Sequence, residues 1–194
     1  YQDGTTDITR NIPLGPLTPQ ESLDYTLVLK GHIALATLRF PRGISGTRID
    51  AFARQALWQH GLDYGHGTGH GVGSFLSVHE GPHQIRHSWK PVGLQPGMTV
   101  TNEPGLYREG AHGVRIENTM LVVPDIETPF GSFCRLEALT LCPIDREAIL
   151  LDLLTETEIA YIDSYHNRVW SELSPLLDGA DKEWLRHATR PMKS

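Results

Sequence analysis

The sequence has little cysteine, no long apolar run and no excess of positive charge. Its two cysteines, Cys134 and Cys142, would lie roughly 25 Å apart on one strand, too far for a disulfide. We therefore expect free thiols and a reducing, cytoplasmic environment. No apolar run approaches the roughly 20 residues that cross a bilayer, which argues against a membrane protein. The net charge of -6 argues against a nucleic-acid partner.

The rest of the composition is typical of a globular domain. Hydrophobic residues make up 39% and charged residues 21% of the 194 positions. A chain of this length and composition can form a hydrophobic core without disulfides or structural metal ions. The chain also has 19 Gly and 10 His, several of each between Gly61 and His87. Because it begins at Tyr1 rather than Met, we expect a processed product or a fragment.

Helical patterns flank a central region of short β-type runs. A first helix is predicted from Thr18, with an apolar face at steps of four or three that ends at Phe40. A second is predicted from Thr47, with Asp50 at a capping-box position and Phe52 facing inward. Strands are predicted at residues 98–102, 114–123 and 135–143. This order predicts an α+β fold with an antiparallel sheet.

A third helix is predicted after Thr155. Thr155 and Glu158 match a capping box, and the apolar positions continue to Leu173. We expect residues 1–150 to form the main domain and residues 151–194 a helical C-terminal extension.

The segment His66-Gly67-Thr68-Gly69-His70-Gly71-Val72-Gly73 is the most unusual in the chain. Each glycine would cost about 1 kcal/mol in a helix, so we predict that it is not helical. In an extended chain the spacing places both imidazoles on one side, and the glycines allow another backbone or a ligand to approach closely. A flexible loop with incidental histidines is the alternative.

The segment His79-Glu80-Gly81-Pro82-His83 matches the H-E-x-x-H pattern of zinc proteases. That chemistry requires both histidines on one helical face, and Gly81-Pro82 forbids the helix. We therefore reject a zinc-protease helix here.

Three carboxylates lie in otherwise apolar, strand-like surroundings: Asp7, Glu103 and Glu117. Burying any of them without a partner is costly. Clustered with His70, they would form a donor set that suits Mn²⁺, Co²⁺ or Zn²⁺. The alternative is that they are solvent-facing strand residues.

Five motifs occur in order along the chain: Asp3-Gly4-Thr5-Thr6-Asp7-Ile8-Thr9-Arg10, residues 66–73, Val78-His79-Glu80-Gly81-Pro82, Asn102-Glu103-Pro104-Gly105-Leu106-Tyr107 and Val114-Arg115-Ile116-Glu117-Asn118. Together they resemble the second half of the catalytic domain of the Xaa-Pro aminopeptidases (aminopeptidase P). These are metallopeptidases with the pita-bread fold of prolidase, methionine aminopeptidase and creatinase. The resemblance implies the C-terminal half of that fold, a curved antiparallel sheet with flanking helices.

The resemblance also implies a dinuclear site, usually with Mn²⁺ and alternatively with Co²⁺ or Zn²⁺. Asp7 and Glu117 would bridge two ions, while His70 and Glu103 would be terminal ligands of one. Glu103 would also transfer protons.

The remaining implied roles concern the substrate, a peptide with proline in second position. His66 and His79 would stabilise the oxyanion and hold the peptide, and Tyr107 and Arg115 would line the proline side. The family's other Asp ligand would precede Tyr1, so we expect the chain alone to be a weakly active or inactive fragment.

Two other hypotheses remain at this point. The chain could be a non-catalytic pita-bread module that binds peptides or proteins. It could also be stable only as a homo-oligomer, since an N-terminal strand edge would be open.

Overall fold

The computed structural model describes residues 4–75 and 77–193. Asp3, which opens the first motif, lies outside the described residues. The chain divides into two compact units. The first comprises the segment up to Thr9 together with Leu27–Thr140, and the second comprises Arg10–Thr26 together with the chain from Leu141 onward.

The first unit holds the sheet and most of the short elements. Helix α1 (Pro19–Ala36) contributes its C-terminal part to this unit, followed by a 3-10 turn (Gly46–Arg48) and α2 (Asp50–Trp58). The strands are β1 (Phe40–Pro41), β2 (Gly69–His70), β3 (Gln84–Ile85), β4 (Thr99–Asn102), β5 (Gly105–Arg108), β6 (His112–Arg115), β7 (Asn118–Thr128) and β8 (Gly131–Ala138).

All the strand pairs in this unit are antiparallel, as the sequence predicted. Four strands form one sheet in the order β1-β8-β7-β4, and β2/β3 and β5/β6 form two further pairs. Val100, Met120 and Val122 are buried on the sheet. Burial alternates along β7 from Met120 to Val123, which gives the sheet one core face there.

Several details of the predicted elements are wrong. Helix α1 ends at Ala36, and Phe40 instead pairs with Cys134 at the sheet edge. Phe52 is 40% exposed rather than inward-facing. The predicted strand 114–123 is two strands interrupted at Ile116 and Glu117. In each case a residue's tertiary partners decided its environment, and apolar spacing alone does not identify those partners.

The second unit is helical. It contains α3 (Glu156–Leu173), α4 (Gly179–Ala188) and two 3-10 turns, Leu151–Leu153 and Ser174–Leu176. The predicted capping box is confirmed, because the Thr155 hydroxyl accepts the Glu158 N–H and the Glu158 carboxylate accepts the Thr155 N–H. Within the described ranges, no helix combines the length and apolar character that crossing a membrane requires.

A neutral histidine lies in the core of this unit. His166 is fully buried on α3, and its Nε2 accepts a hydrogen bond from the Ile144 N–H at 3.0 Å. Burial, with a further contribution from the positive charge of Arg146, lowers the pKa of His166 to about 4. The imidazole is therefore neutral in the folded protein at pH 7.

We expect this group to make stability depend on pH. An unfolded histidine binds its proton near pH 6.5, so the folded state loses stability as the pH falls from about 6.5 towards 4. Relative to His166→Gln, the free energy of unfolding should fall by about 3 kcal/mol over that range. Urea denaturation of both proteins at pH 7 and pH 4 measures the difference. Equal pH dependence in the two proteins would contradict this role.

Candidate metal centre

Two of the predicted carboxylates are brought together by one strand pair. Glu103 directly follows β4 and Glu117 directly precedes β7. The two strands are antiparallel, and Asn102 lies opposite Asn118. The carboxylates therefore leave the sheet at the same end, although they are distant in sequence.

The N-terminal segment adds the third carboxylate. Thr9 forms a β-bridge with Glu117, and its hydroxyl donates a hydrogen bond to the Glu117 carboxylate. Farther back, the Thr119 hydroxyl donates to the main-chain oxygen of Asp7 at 2.8 Å. These contacts place Asp7 beside the end of the strand pair.

The fourth member is His70, at the end of β2. Its backbone N–H donates to the Thr101 hydroxyl at 3.0 Å, and that hydroxyl donates to Glu103 Oε1 at 3.0 Å. The ring Nε2 lies 3.2 Å from Glu103 Oε1 and 3.4 Å from Asp7 Oδ2. The imidazole thus points at the acids, as the hypothesis of a metal site requires.

The donor atoms are close enough to share an ion. One ligand atom each from His70, Glu103 and Glu117 lie within 4.8 Å of one another, and so do ligand atoms of Asp7, His70 and His79. Carboxylate oxygens with one or two imidazoles suit Mn²⁺, Co²⁺ or Zn²⁺. The residues present therefore fit a divalent cation.

The electrostatic environment of the carboxylates supports this assignment. Burial raises the pKa of Glu117 to about 7, and the negative charges of Glu103 and Asp7 act in the same direction. Burial also opposes ionisation of Glu103, but the hydrogen bonds involving His70 and Thr101 outweigh it and lower its pKa. A divalent cation among these groups would favour the charged form of every carboxylate.

Close backbone packing explains the glycines of the His66–Gly73 segment. A Cβ on Gly69 would lie 1.9 Å from the main-chain oxygen of Thr101, and one on Gly71 would lie 2.1 Å from that of Glu80. Another strand does approach the backbone here, so a flexible loop is the wrong interpretation of this segment.

The other predicted site residues line a cleft of about 470 Å³ that also contains His70 and Glu103. The His66 Nε2 lies 2.9 Å from the Tyr107 hydroxyl, and the His79 ring lies 4.3 Å from the His70 ring. Arg115 ends β6 opposite Gly105 and lines the same cleft. A cleft of this size can accommodate a short peptide segment.

The H-E-x-x-H pattern does not form a zinc-protease helix in this structure. Residues 79–83 contain no helix. His83 is buried, and its Nε2 donates to the main-chain oxygen of Thr99 at 2.7 Å. The rejection of a zinc-protease helix from the sequence is confirmed.

A buried ion pair beneath the His66–Gly73 segment was missed in the sequence. Arg54 and Asp50 are 1% and 2% exposed, and the Arg54 Nε donates to Asp50 Oδ2 at 2.7 Å. Asp50 makes no side-chain cap at the start of α2, so its predicted capping role is wrong. The i, i+4 spacing of the pair was the available signal, but it does not distinguish a buried pair from an exposed one.

Comparisons with known proteins identify the family of this chain. Residues 1–124 match the model of metallopeptidase family M24, and residues 132–192 match the model of the C-terminal region of peptidase M24. The chain belongs to metallopeptidase family M24, and its fold is the pita-bread fold predicted from the motifs.

Similar proteins carry names that agree with the resemblance. A probable Xaa-Pro aminopeptidase P from Laccaria bicolor is 49% identical over 99% of this chain. The X-prolyl aminopeptidase from Caenorhabditis elegans, described as a cytosolic enzyme with a di-nuclear active site, has a TM-score of 0.91 and 42% identity over 97% of this chain. An Xaa-Pro dipeptidase from Bacillus anthracis has a TM-score of 0.58 and 34% identity over 72%.

This chain corresponds to part of each similar protein. It covers 31% of the Laccaria protein, 32% of the Caenorhabditis chain and 36% of the Bacillus chain.

Proposed function

We propose that the protein is a metal-dependent aminopeptidase that releases the N-terminal residue from Xaa-Pro peptides. The observation that carries the proposal is the convergence of the carboxylates of Asp7, Glu103 and Glu117 on His70, which lines the cleft together with Glu103. Family membership and the names of the similar proteins supply the substrate class.

The ligand set is the one that the resemblance to the aminopeptidases implies. Asp7, His70, Glu103 and Glu117 would hold the cations. We propose Mn²⁺ as the metal. When bound, the cations would supply Lewis-acid polarisation of the scissile carbonyl and a water of lowered pKa.

The side chains of this chain would perform the proton transfers. Glu103 would accept a proton from the attacking water and deliver it to the proline nitrogen as the bond breaks. His66 and His79, which border the cleft, would donate hydrogen bonds to the developing oxyanion. Proline has no N–H, so the site would recognise the peptide by shape, with Tyr107 and Arg115 on the proline side.

We also propose a cytoplasmic location. Cys134 and Cys142 are both free thiols in the structure, and free thiols persist in a reducing compartment. The Caenorhabditis relative is described as cytosolic.

Activity on matched peptides tests the function. We expect the complete gene product with Mn²⁺ to cleave an Xaa-Pro peptide and to leave the Xaa-Ala peptide of the same length largely intact. EDTA should abolish cleavage, because the carboxylates would lose their cations, and excess Mn²⁺ should restore it. Release of the N-terminal residue is measured by chromatography. Absence of cleavage, or cleavage unaffected by EDTA, would contradict the proposal.

A further inference from the structure

The buried ion pair beneath the His66–Gly73 segment has no ligand role of its own. Pairing two charges in the interior adds little net stability, since the cost of removing both from water offsets their attraction. Burial alone would lower the pKa of Arg54, but its partners, Asp50 foremost, raise it above its ordinary value. The Arg54 guanidinium is therefore charged, and its contacts define what it does.

The Arg54 guanidinium holds the chain that leads into the site. The Nη1 atom donates to the main-chain oxygen of Tyr64 and to Asp63 Oδ1, each at 2.7 Å. The Nη2 donates to the main-chain oxygen of His66 at 2.8 Å. Arg54 thus contacts the backbone at one of the residues proposed to bind substrate.

Thr68 connects Asp50 to the proposed metal ligands. Thr68 is fully buried, and its hydroxyl donates to Asp50 Oδ1. That bond uses the hydroxyl's one proton, so the Tyr64 hydroxyl, which contacts the same oxygen, must be the donor to it. The main-chain oxygen of Thr68 accepts the Glu103 N–H at 2.8 Å. Thr68 therefore contacts the backbone of one proposed ligand, Glu103, and lies two residues before another, His70.

We propose that Asp50, Arg54 and Thr68 form a positioning network that sets the separation of His70 and Glu103 and the position of His66. None of the three is among the residues that line the cleft. They act through the backbone of residues 64–68 and through the Glu103 N–H. The inference rests on the proposed function, since it concerns the same site.

Thr68→Val in the complete gene product tests the network. Valine has nearly the same shape but cannot donate to Asp50, so the backbone at residue 68 loses its fixed position. Because partners behind metal ligands typically change affinity or rate by about 10- to 100-fold, we expect Mn²⁺ affinity and kcat to fall by that order, with KM changing less. Mn²⁺ binding is followed by electron paramagnetic resonance, without substrate.

Two variants separate positioning from stability. Thr68→Ser retains the hydroxyl and should bind Mn²⁺ nearly as the parent protein does. Thr26→Val removes a fully buried hydroxyl that also makes two hydrogen bonds, donating to Ser22 and accepting from Leu150. It should lose stability without losing Mn²⁺ affinity. If Thr68→Val does not fold, Tyr64→Phe removes one donor and should weaken Mn²⁺ binding in the same direction.

The outcomes distinguish this inference from the proposed function. If the parent protein binds Mn²⁺ and cleaves Xaa-Pro peptides while Thr68→Val, or Tyr64→Phe in its place, binds Mn²⁺ as Thr26→Val does, the network has no positioning role. If the parent binds Mn²⁺ but cleaves no Xaa-Pro peptide, the proposed function fails, and the Mn²⁺ affinities still decide the inference. A parent protein that binds no Mn²⁺ would overturn both.

Discussion

Replacing Glu103 by Gln should lower kcat on an Xaa-Pro peptide by about 10³-fold. Glutamine has the size of glutamate, and its amide oxygen still accepts the hydrogen bond that Thr101 donates to Glu103. It cannot accept the proton of the attacking water, so the loss should appear in kcat rather than in KM. Mn²⁺ affinity should fall only about tenfold, because one oxygen ligand remains. Steady-state kinetics at saturating Mn²⁺ measures the effect.

Glu109→Gln provides the matched control. Glu109 is exposed between β5 and β6. Its replacement by Gln changes the net charge by the same amount as Glu103→Gln does. It should retain full activity. If Glu103→Gln turned over peptide at the rate of this control, Glu103 would have no part in proton transfer.

Gly69→Ala should disrupt the centre more broadly. The added methyl group would lie 1.9 Å from the main-chain oxygen of Thr101, and a backbone atom cannot move aside cheaply. We expect a loss of about 2 to 3 kcal/mol in the free energy of unfolding. Because His70 is the next residue, we also expect loss of Mn²⁺ binding and of activity. Denaturant titration and Mn²⁺ binding measure the two effects separately.

Gly65→Ala is the control for this substitution. It lies four positions earlier in the chain, directly before the His66–Gly73 segment, and a Cβ there would have no heavy atom within 4 Å. Stability and Mn²⁺ binding should both stay near those of the parent protein. Equal effects of the two substitutions would show that the glycines provide flexibility rather than room for the backbone of Thr101.

Local sequence patterns predicted the features that depend on neighbouring residues. The capping box of Thr155 and Glu158 lies within one helical turn, so sequence spacing alone specifies it. The Gly81-Pro82 step excluded a helix for the same reason. The grouping of Asp7, His70, Glu103 and Glu117 came from ordered motifs and a resemblance, since residue spacing cannot place distant carboxylates together.

The features that were missed depend on distant contacts. Asp50 has the sequence position of a cap, but its carboxylate binds Arg54 and Thr68 instead. No local pattern shows that α2 lies against the segment containing Thr68. Phe40 continues the three- and four-residue spacing of the apolar face of the first helix, which predicts a helical residue. Pairing with Cys134 instead makes it a strand residue.

The pairing of Asn102 with Asn118 limits where the protein can gain or lose residues. Side chains alternate between the two faces of a strand, so inserting or deleting one residue within β4 or at the start of β7 would turn Glu103 or Glu117 to the opposite face. Such changes should abolish metal binding. The turn between β5 and β6 connects strands outside that pair, and chain-length variation should be tolerated there.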